Sequence, residues 1–395
     1  MKLLMATKAR GAVGGVESYV RGIAPALAAR GHQIAMLFEH RNETAGAEDP
    51  FGSCAAEWCL EEDGEAALAA THAWRPDLIW NHGCENGTLE SALVALAPTI
   101  YYAHNYDGLC ATGAKFHRWP APAPCARAMG AGCVALNWTR GCGMPNPMGF
   151  GASFKRQRER ARLLPYYVRI LVASRHMERA LVGNSGSAAA VRIVGYPIFT
   201  AAVSSPAARQ GPPTRILMAA RLTVAKGGEL LLLALARAER SLGQRLALTI
   251  CGNGPALAGL RRKARELGLA VKFTGWVNAS ERQRLLDTTD LLAVPSLWPE
   301  PFGMIGIEAA ARAVPAVAFQ VGGIADWLSP GVNGEIAPGA PPTKDGLAEA
   351  IVRALGNSEH FERLRRGALE GVERFGLRSH VDALETIFEE ALRSV

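Results

Sequence analysis

KLLMATKARGAVGGVESYVRGIAPALAARGHQIAMLF, Lys2 to Phe38, sets out a strand, a glycine turn, a helix and a second strand in that order. Lys2 to Thr7 is a short apolar run, and Gly11, Gly14 and Gly15 follow it. Tyr19, Val20, Ile23 and Leu27 then recur at steps of three and four, the spacing of one buried helix face, and Gly31 is a natural stop. Ile34 to Phe38 is the second apolar run. Two buried strands joined through a helix read as the opening of a doubly wound parallel sheet, in which ligands sit beyond the carboxyl ends of the strands.

Working outward, Asp77 to Trp80, Thr99 to Ala103 and Arg169 to Ala173 read as further strands, ending at Asn81-His82, His104-Asn105 and Ser174. Between Asp107 and Met148 the periodicity lapses into Gly, Pro, Ala and Cys, which predicts a long insertion loop, with a helix after Ser153. Tyr196-Pro197 and the Ala, Ser, Pro and Gly-rich span from Thr200 to Thr214 mark a boundary. The second half repeats the pattern with strands at Arg215–Ala219, Leu246–Cys251, Val271–Thr274, Leu291–Val294 and Pro315–Phe319. Its helices are expected at Gly228–Arg240, at Ala256–Leu267, after a Ser280/Gln283 capping box, and around Glu308. The α/β alternation through 395 residues therefore predicts two Rossmann-like domains facing each other across an active-site cleft.

Composition bounds the function. Hydrophobic residues make up 49% and charged ones 20%, with no apolar run long enough for a membrane span. The five-residue apolar start before Lys8 is too short for a signal-peptide core, so a cytoplasmic protein is expected. A net charge of +7 favours anionic partners. The densest basic run, KRQRERAR from Lys155 to Arg162, holds no aromatic residue to stack on bases, which argues against nucleic acid. It reads as a solvated helical face, with a patch touching the inner face of a membrane as the other reading.

The chemistry concentrates in EPFGMIGIE, Glu300 to Glu308. Two carboxylates flank a Phe-Gly step where a helix would begin, an arrangement suited to a ligand with a diphosphate in the middle and hydroxyls at both ends. Glu308 is placed to accept hydrogen bonds from ribose hydroxyls, and Glu300 to face a sugar ring. Arg221 and Lys226, just past a strand end and beside Gly227-Gly228, could neutralise the diphosphate and stabilise its departure.

AARLTVAKGG with Arg221 and Lys226, CGNGP at Cys251–Pro255, FTGWV at Phe273–Val277, EPFGMIGIE, and VGGIADWL at Val321–Leu328 follow one another in this order. The set resembles the donor-binding domain of retaining glycosyltransferases of the GT-B fold, and among them glycosyltransferase family 4. The first half is similar through GAVGGVES and YYAHN, Tyr101 to Asn105. The resemblance implies an acceptor domain at 1–198 with a Cys-rich insertion at 107–148, a donor domain at 199–378, and a closing helix at 379–395 crossing back to the first domain. It implies transfer of a hexose from a nucleoside-diphosphate sugar, UDP favoured over GDP, to a glycan, lipid-linked or small-molecule acceptor in polysaccharide biosynthesis, without a catalytic cofactor.

The resemblance also assigns residues. Gly252, Asn253, Trp276, Val277, Phe302, Gly303, Met304 and Glu308 would hold the donor, while Gly14 and Gly15 would let the first loop approach the diphosphate. His104 would orient a sugar hydroxyl beside Glu300, Arg221 and Lys226; His82 is a weaker candidate. Where the family has Gly before the Pro that opens the strand after Glu308, this chain has Ala313-Val314-Pro315. Cys110, Cys125, Cys133 and Cys142 crowd the insertion in wide gaps without a C-x-x-C, leaving open a structural Zn²⁺ site or independent reduced thiols. Cys54, Cys59, Cys84 and Cys251 read as packing residues. Other readings are a sugar-nucleotide epimerase, a phosphorylase, and a non-catalytic sugar-nucleotide binding module.

Overall fold

A computed structural model describes residues 1–11, 14–41, 51, 54–143, 145–185, 190–203, 205 and 211–394. The chain divides into two compact units, Met1–Lys115 with Ala126–Pro197 and Leu377–Val395, and Phe116–Cys125 with Ile198–Gly376. In chain order the first half runs β1 (Lys2–Ala9), α1 (Gly15–Ala29), β2 (Gln33–His40), β3 (Ala56–Cys59), α2 (Gly64–Trp74), β4 (Leu78–Asn81), α3 (Gly87–Leu96) and β5 (Thr99–Ala103). A hairpin of β6 (Phe116–His117) and β7 (Ala123–Pro124) groups with the second unit. Then come α4 (Gly132–Thr139), α5 (Pro147–Leu163), β8 (Arg169–Val172), α6 (Arg175–Ser185) and β9 (Val191–Ile193).

The first unit's seven strands lie in the order β3-β2-β1-β4-β5-β8-β9. All its pairings are parallel. With helices over both faces the central strands lose alternation: every residue of β4 and β5 is buried. The order reverses between β1 and β4, which opens a crevice beyond their carboxyl ends.

The second half runs β10 (Arg215–Ala219), α7 (Gly228–Leu242), β11 (Ala247–Cys251), α8 (Leu257–Glu266), β12 (Val271–Gly275), α9 (Ala279–Asp287) and β13 (Leu291–Val294). It continues with α10 (Met304–Ala310), β14 (Ala316–Phe319), β15 (Gly334–Ala337), α11 (Lys344–Leu355), α12 (Ser358–Glu370) and α13 (Leu377–Arg393). Six parallel strands lie in the order β12-β11-β10-β13-β14-β15, so this sheet reverses between β10 and β13. The helix α13 groups with the first unit. Its Phe388 ring lies edge-on to Trp80 at 5.3 Å, and Nε2 of its His380 is 2.8 Å from the Tyr19 hydroxyl.

Several local expectations are corrected. The insertion is not one long loop, since it contains the β6–β7 hairpin and α4. Helix α5 begins at Pro147 rather than after Ser153, because the Asn146 side chain accepts from the Met148 N–H and Pro147 fits the first turn. The basic run on α5 is not wholly solvated: Arg160 and Gln157 are buried, with Arg160 bound to Glu90 and Asp107. The capping box of α9 is Asn278 with Glu281, two residues earlier than Ser280 with Gln283. The Thr200–Thr214 span lies partly outside the described residues, as do positions 12 and 13 of the first glycine turn. At the end of α10, Val314 N–H reaches Ala309 O and Ala313 N–H reaches Ala310 O, a Schellman turn with Ala313 at φ 55°. That is the left-handed position a glycine would ordinarily take.

Candidate functional site

Main-chain hydrogen bonds lace the five quoted motifs of the second unit into one rim at the carboxyl ends of its strands. Gly252 N–H donates to Gly275 O at 2.7 Å, joining CGNGP to the end of β12. Leu222 N–H donates to Asn253 O at 2.8 Å, which brings in the loop of Arg221. Leu297 N–H reaches Ala225 O at 2.8 Å across the strand reversal, and Gly323 N–H reaches Glu300 O at 2.6 Å. Glycine is required where these loops touch. A Cβ on Gly227, at φ 69°, would fall 1.8 Å from the Pro295 carbonyl oxygen, and one on Gly322, at φ 61°, 2.2 Å from that of Glu300.

At the reversal, Lys226 Nζ donates to Glu300 Oε1 at 2.5 Å, and the Ser296 hydroxyl donates to the same oxygen. Glu300 is buried, while Lys226 keeps 22% of its side chain in contact with solvent and lies 5.0 Å from the Trp298 ring centre. Arg221 is exposed, and among the described residues no carboxylate pairs with its guanidinium. One cation is thus anchored, and the same motif contributes a second, exposed one.

Gly303 caps α10 at φ 94°, and Trp327 fixes the turn before it by donating its indole N–H to Phe302 O at 2.6 Å. Glu308, one turn into α10, is half-buried and accepts from Arg282 Nε at 2.8 Å and Nη2 at 3.2 Å. Ser296 and Arg282 are both absent from the sequence reading. Arg282 sits four residues past the Asn278 cap of α9, and no spacing in the chain connects it to a glutamate 26 positions on. Asn253 and Trp276 are exposed on the same rim, with Val277, Gly303 and Met304 half-buried.

In the first unit, His104 follows β5 and both its ring nitrogens are engaged. Nδ1 lies 2.5 Å from the Tyr196 hydroxyl and Nε2 lies 3.0 Å from Nδ1 of His82. Burial lowers the His104 pKa to about 3. Burial, then the His104 ring, holds His82 well below the usual imidazole range. Both rings are therefore neutral near pH 7, and a sugar hydroxyl could bond His104 only by displacing one of its partners. His82 Nε2 is buried with no partner among the described residues. Gly14 and Gly15 are exposed at the start of α1, where Gly14 is extended and its carbonyl accepts from the Ser18 N–H and hydroxyl.

Two of the insertion thiols have hydrogen-bond partners nearby in the chain. Cys110 Sγ accepts from Lys115 N–H at 3.4 Å, and Cys142 Sγ donates to Leu136 O at 3.3 Å. Among the described residues no three His, Cys, Asp or Glu side chains stand close enough to share an ion. Cys59, Cys84 and Cys251 are buried and Cys54 is half-buried.

Residues 204–370 match the family model for glycosyl transferases group 1. The D-inositol 3-phosphate glycosyltransferase of Saccharomonospora viridis is 34% identical over 167 residues, 40% of this chain and 38% of that one. The chain spans about two fifths of the length of the relatives it matches by sequence. Two solved structures are similar over nearly the whole chain. Anabaena HepE, crystallised with UDP and glucose, has a TM-score of 0.73 at 17% identity and covers 99% of this chain and 100% of its own. Sucrose-phosphate synthase of Thermosynechococcus elongatus has a TM-score of 0.73 at 20% identity over 100% of both chains. The fold is that of the GT-B glycosyltransferases. Among the described residues no helix is long and apolar enough to cross a membrane.

Proposed function

We propose that this protein is a retaining glycosyltransferase that moves a hexose from a UDP-sugar to a hydroxyl acceptor. The observation that carries the reading is the Lys226–Glu300–Ser296 cluster at the strand reversal of the second unit, with Lys226 on the loop that also carries the exposed Arg221 and Glu300 beside the cap of α10. In this reading Arg221 and Lys226 meet the diphosphate, and the N–H groups of Met304 and Ile305, which precede the first hydrogen bond of α10 at Gly306, add to them. Glu308, oriented by Arg282, accepts from the ribose hydroxyls, and Glu300 accepts from hydroxyls of the hexose.

Transfer then needs no enzyme nucleophile. The bond from the anomeric carbon to the diphosphate oxygen breaks as the acceptor oxygen bonds to the same face of that carbon. The departing phosphate takes the acceptor proton, and the cations hold the charge that develops on it. His104, neutral in its buried setting, orients a sugar hydroxyl once it exchanges one of its two bonds. UDP is favoured because HepE was solved with UDP and glucose, and the match to group 1 glycosyl transferases supports transfer over epimerisation or phosphorolysis.

The test is incubation with UDP- and GDP-sugars and a panel of hydroxyl acceptors. Release of nucleotide together with a product of retained anomeric configuration is expected. Nucleotide binding without turnover of any donor, or a product of inverted configuration, would overturn the proposal.

A further inference from the structure

The chain's net charge of +7 has a single source. From Gly108 to Arg158 there is no Asp or Glu and there are seven Lys or Arg, so the rest of the chain is balanced. A long stretch without acids is built to face something anionic.

Within the first unit the same stretch exposes apolar side chains. Val134 and Trp138 on α4 are 43% and 47% exposed, and Met148 at the start of α5 is 81% exposed. The Trp138 ring meets Phe150 edge-on at 5.4 Å, Phe150 stacks on Phe154 at 5.9 Å, and the Arg158 guanidinium lies 5.9 Å from the Phe154 ring centre. One continuous row thus joins an exposed tryptophan on α4 to an exposed cation on α5. The Trp138 indole N–H donates to Pro145 O at 3.3 Å, which leaves the open part of the ring apolar.

Not every cation of the region is available. Arg160 is taken by Glu90 and Asp107, and Arg156 Nη1 lies 3.5 Å from Glu85. Arg140 and Arg158 are exposed, as is Lys155, with Glu159 3.9 Å from its ammonium. Exposed Trp and Met beside Arg and Lys is the composition of a protein surface resting at the water–lipid boundary. A nucleic-acid surface would use its aromatic groups for base stacking, and Met148 and Val134 offer nothing to a base.

We propose that α4 and the first turns of α5 dock on an anionic phospholipid bilayer. Trp138 and Met148 enter the interface, and Arg140, Lys155 and Arg158 meet headgroup phosphates. The inference stands apart from sugar transfer, since none of these side chains belongs to the donor site.

The experiment is co-sedimentation of the full chain with vesicles of phosphatidylcholine alone or mixed with phosphatidylglycerol. Binding to the mixed vesicles only, reversed by salt, is expected. Met148→Asp and the pair Arg140→Glu/Arg158→Glu should each weaken it at least about tenfold, with the thermal midpoint unchanged. Met148 is so exposed that its replacement leaves folding intact even if Trp138→Ala does not. The absence of binding to mixed vesicles would overturn the proposal, as would equal binding to neutral ones. So would binding that Met148→Asp leaves intact and that soluble heparin competes away, the mark of a site for a dissolved polyanion.

Discussion

Lys226 and Glu300 are 74 residues apart in sequence, yet the ammonium donates to the carboxylate at 2.5 Å where the strand order of the second unit reverses. Removing either partner tests whether the pair is chemistry or scaffold. Lys226→Ala leaves Glu300 buried with the Ser296 hydroxyl as its remaining side-chain partner among the described residues, and should destabilise the protein by roughly 1–3 kcal/mol, less than a fully dry pair because Lys226 is partly wetted. It should lower kcat by about a hundredfold or more. Glu300→Gln should keep UDP affinity within a few-fold while turnover falls by about a hundredfold. Calorimetric titration with UDP beside steady-state rates measures both. If Glu300→Gln loses affinity and rate in equal proportion, its carboxylate is holding the loop rather than acting on the hexose.

Arg282 and Glu308 lie on different helices, and their fork-shaped contact fixes which way the glutamate points. Arg282→Ala should weaken UDP binding by about tenfold, mostly by freeing Glu308 to reorient. The double variant with Glu308→Ala should then bind no worse than Glu308→Ala alone. Additive losses in a double-mutant cycle would show that Arg282 touches the nucleotide on its own account.

How much of this was legible in the chain follows from burial. Thr99–Ala103, Arg215–Ala219 and Leu291–Val294 are fixed to the residue by their apolar runs, since strands covered on both faces must be continuously hydrophobic. The edge strands β3, β9 and β15 have half-buried residues and short, mixed sequences, such as GEIA at Gly334–Ala337, and give no such signal. The five motifs of the second unit were readable because glycines and charges sit together at strand ends. The Arg282–Glu308 contact was not, because pairing between two helices leaves no trace in local spacing. The Asn146-Pro147 helix start was available, but Gly149 and Gly151 just beyond it suggest a loop.

The buried imidazoles of the first unit predict a loss of stability in acid. Burial holds His104 at about 3 and His380 at about 4, against an ordinary 6.5. Above 6.5 neither the folded nor the unfolded chain protonates these rings, so stability is full there. Below it the unfolded chain takes up protons that the folded one refuses, and each ring removes about 1.4 kcal/mol per pH unit. The loss ends near pH 4 for His380 and near pH 3 for His104. Urea midpoints followed downward from neutral pH should fall less steeply in His104→Gln and His380→Gln than in the parent. Identical slopes would mean that the rings protonate in the folded state as readily as in the unfolded one.

The ion pair between Arg160 and Glu90 offers the sharpest test of stability, because both groups are almost completely buried at 4% and 1% exposure. Arg160 Nε and Nη2 each lie 3.0 Å from a Glu90 oxygen, and Nη1 reaches Asp107 at 3.2 Å. Burial raises the Glu90 pKa, and the Arg160 charge and the bonds from Asn81, Arg160 and Tyr167 oppose that rise without cancelling it. Arg160→Met removes the opposing charge from a carboxylate that cannot reach water, so it should cost about 3–5 kcal/mol. Adding Glu90→Gln removes the stranded charge while keeping an oxygen to accept from Asn81 and Tyr167, and should restore at least half of that loss. Denaturant unfolding of the two single variants and the double variant gives the coupling directly. If the double variant is as unstable as Arg160→Met, the arginine stabilises α5 through packing of its stem and not through its charge.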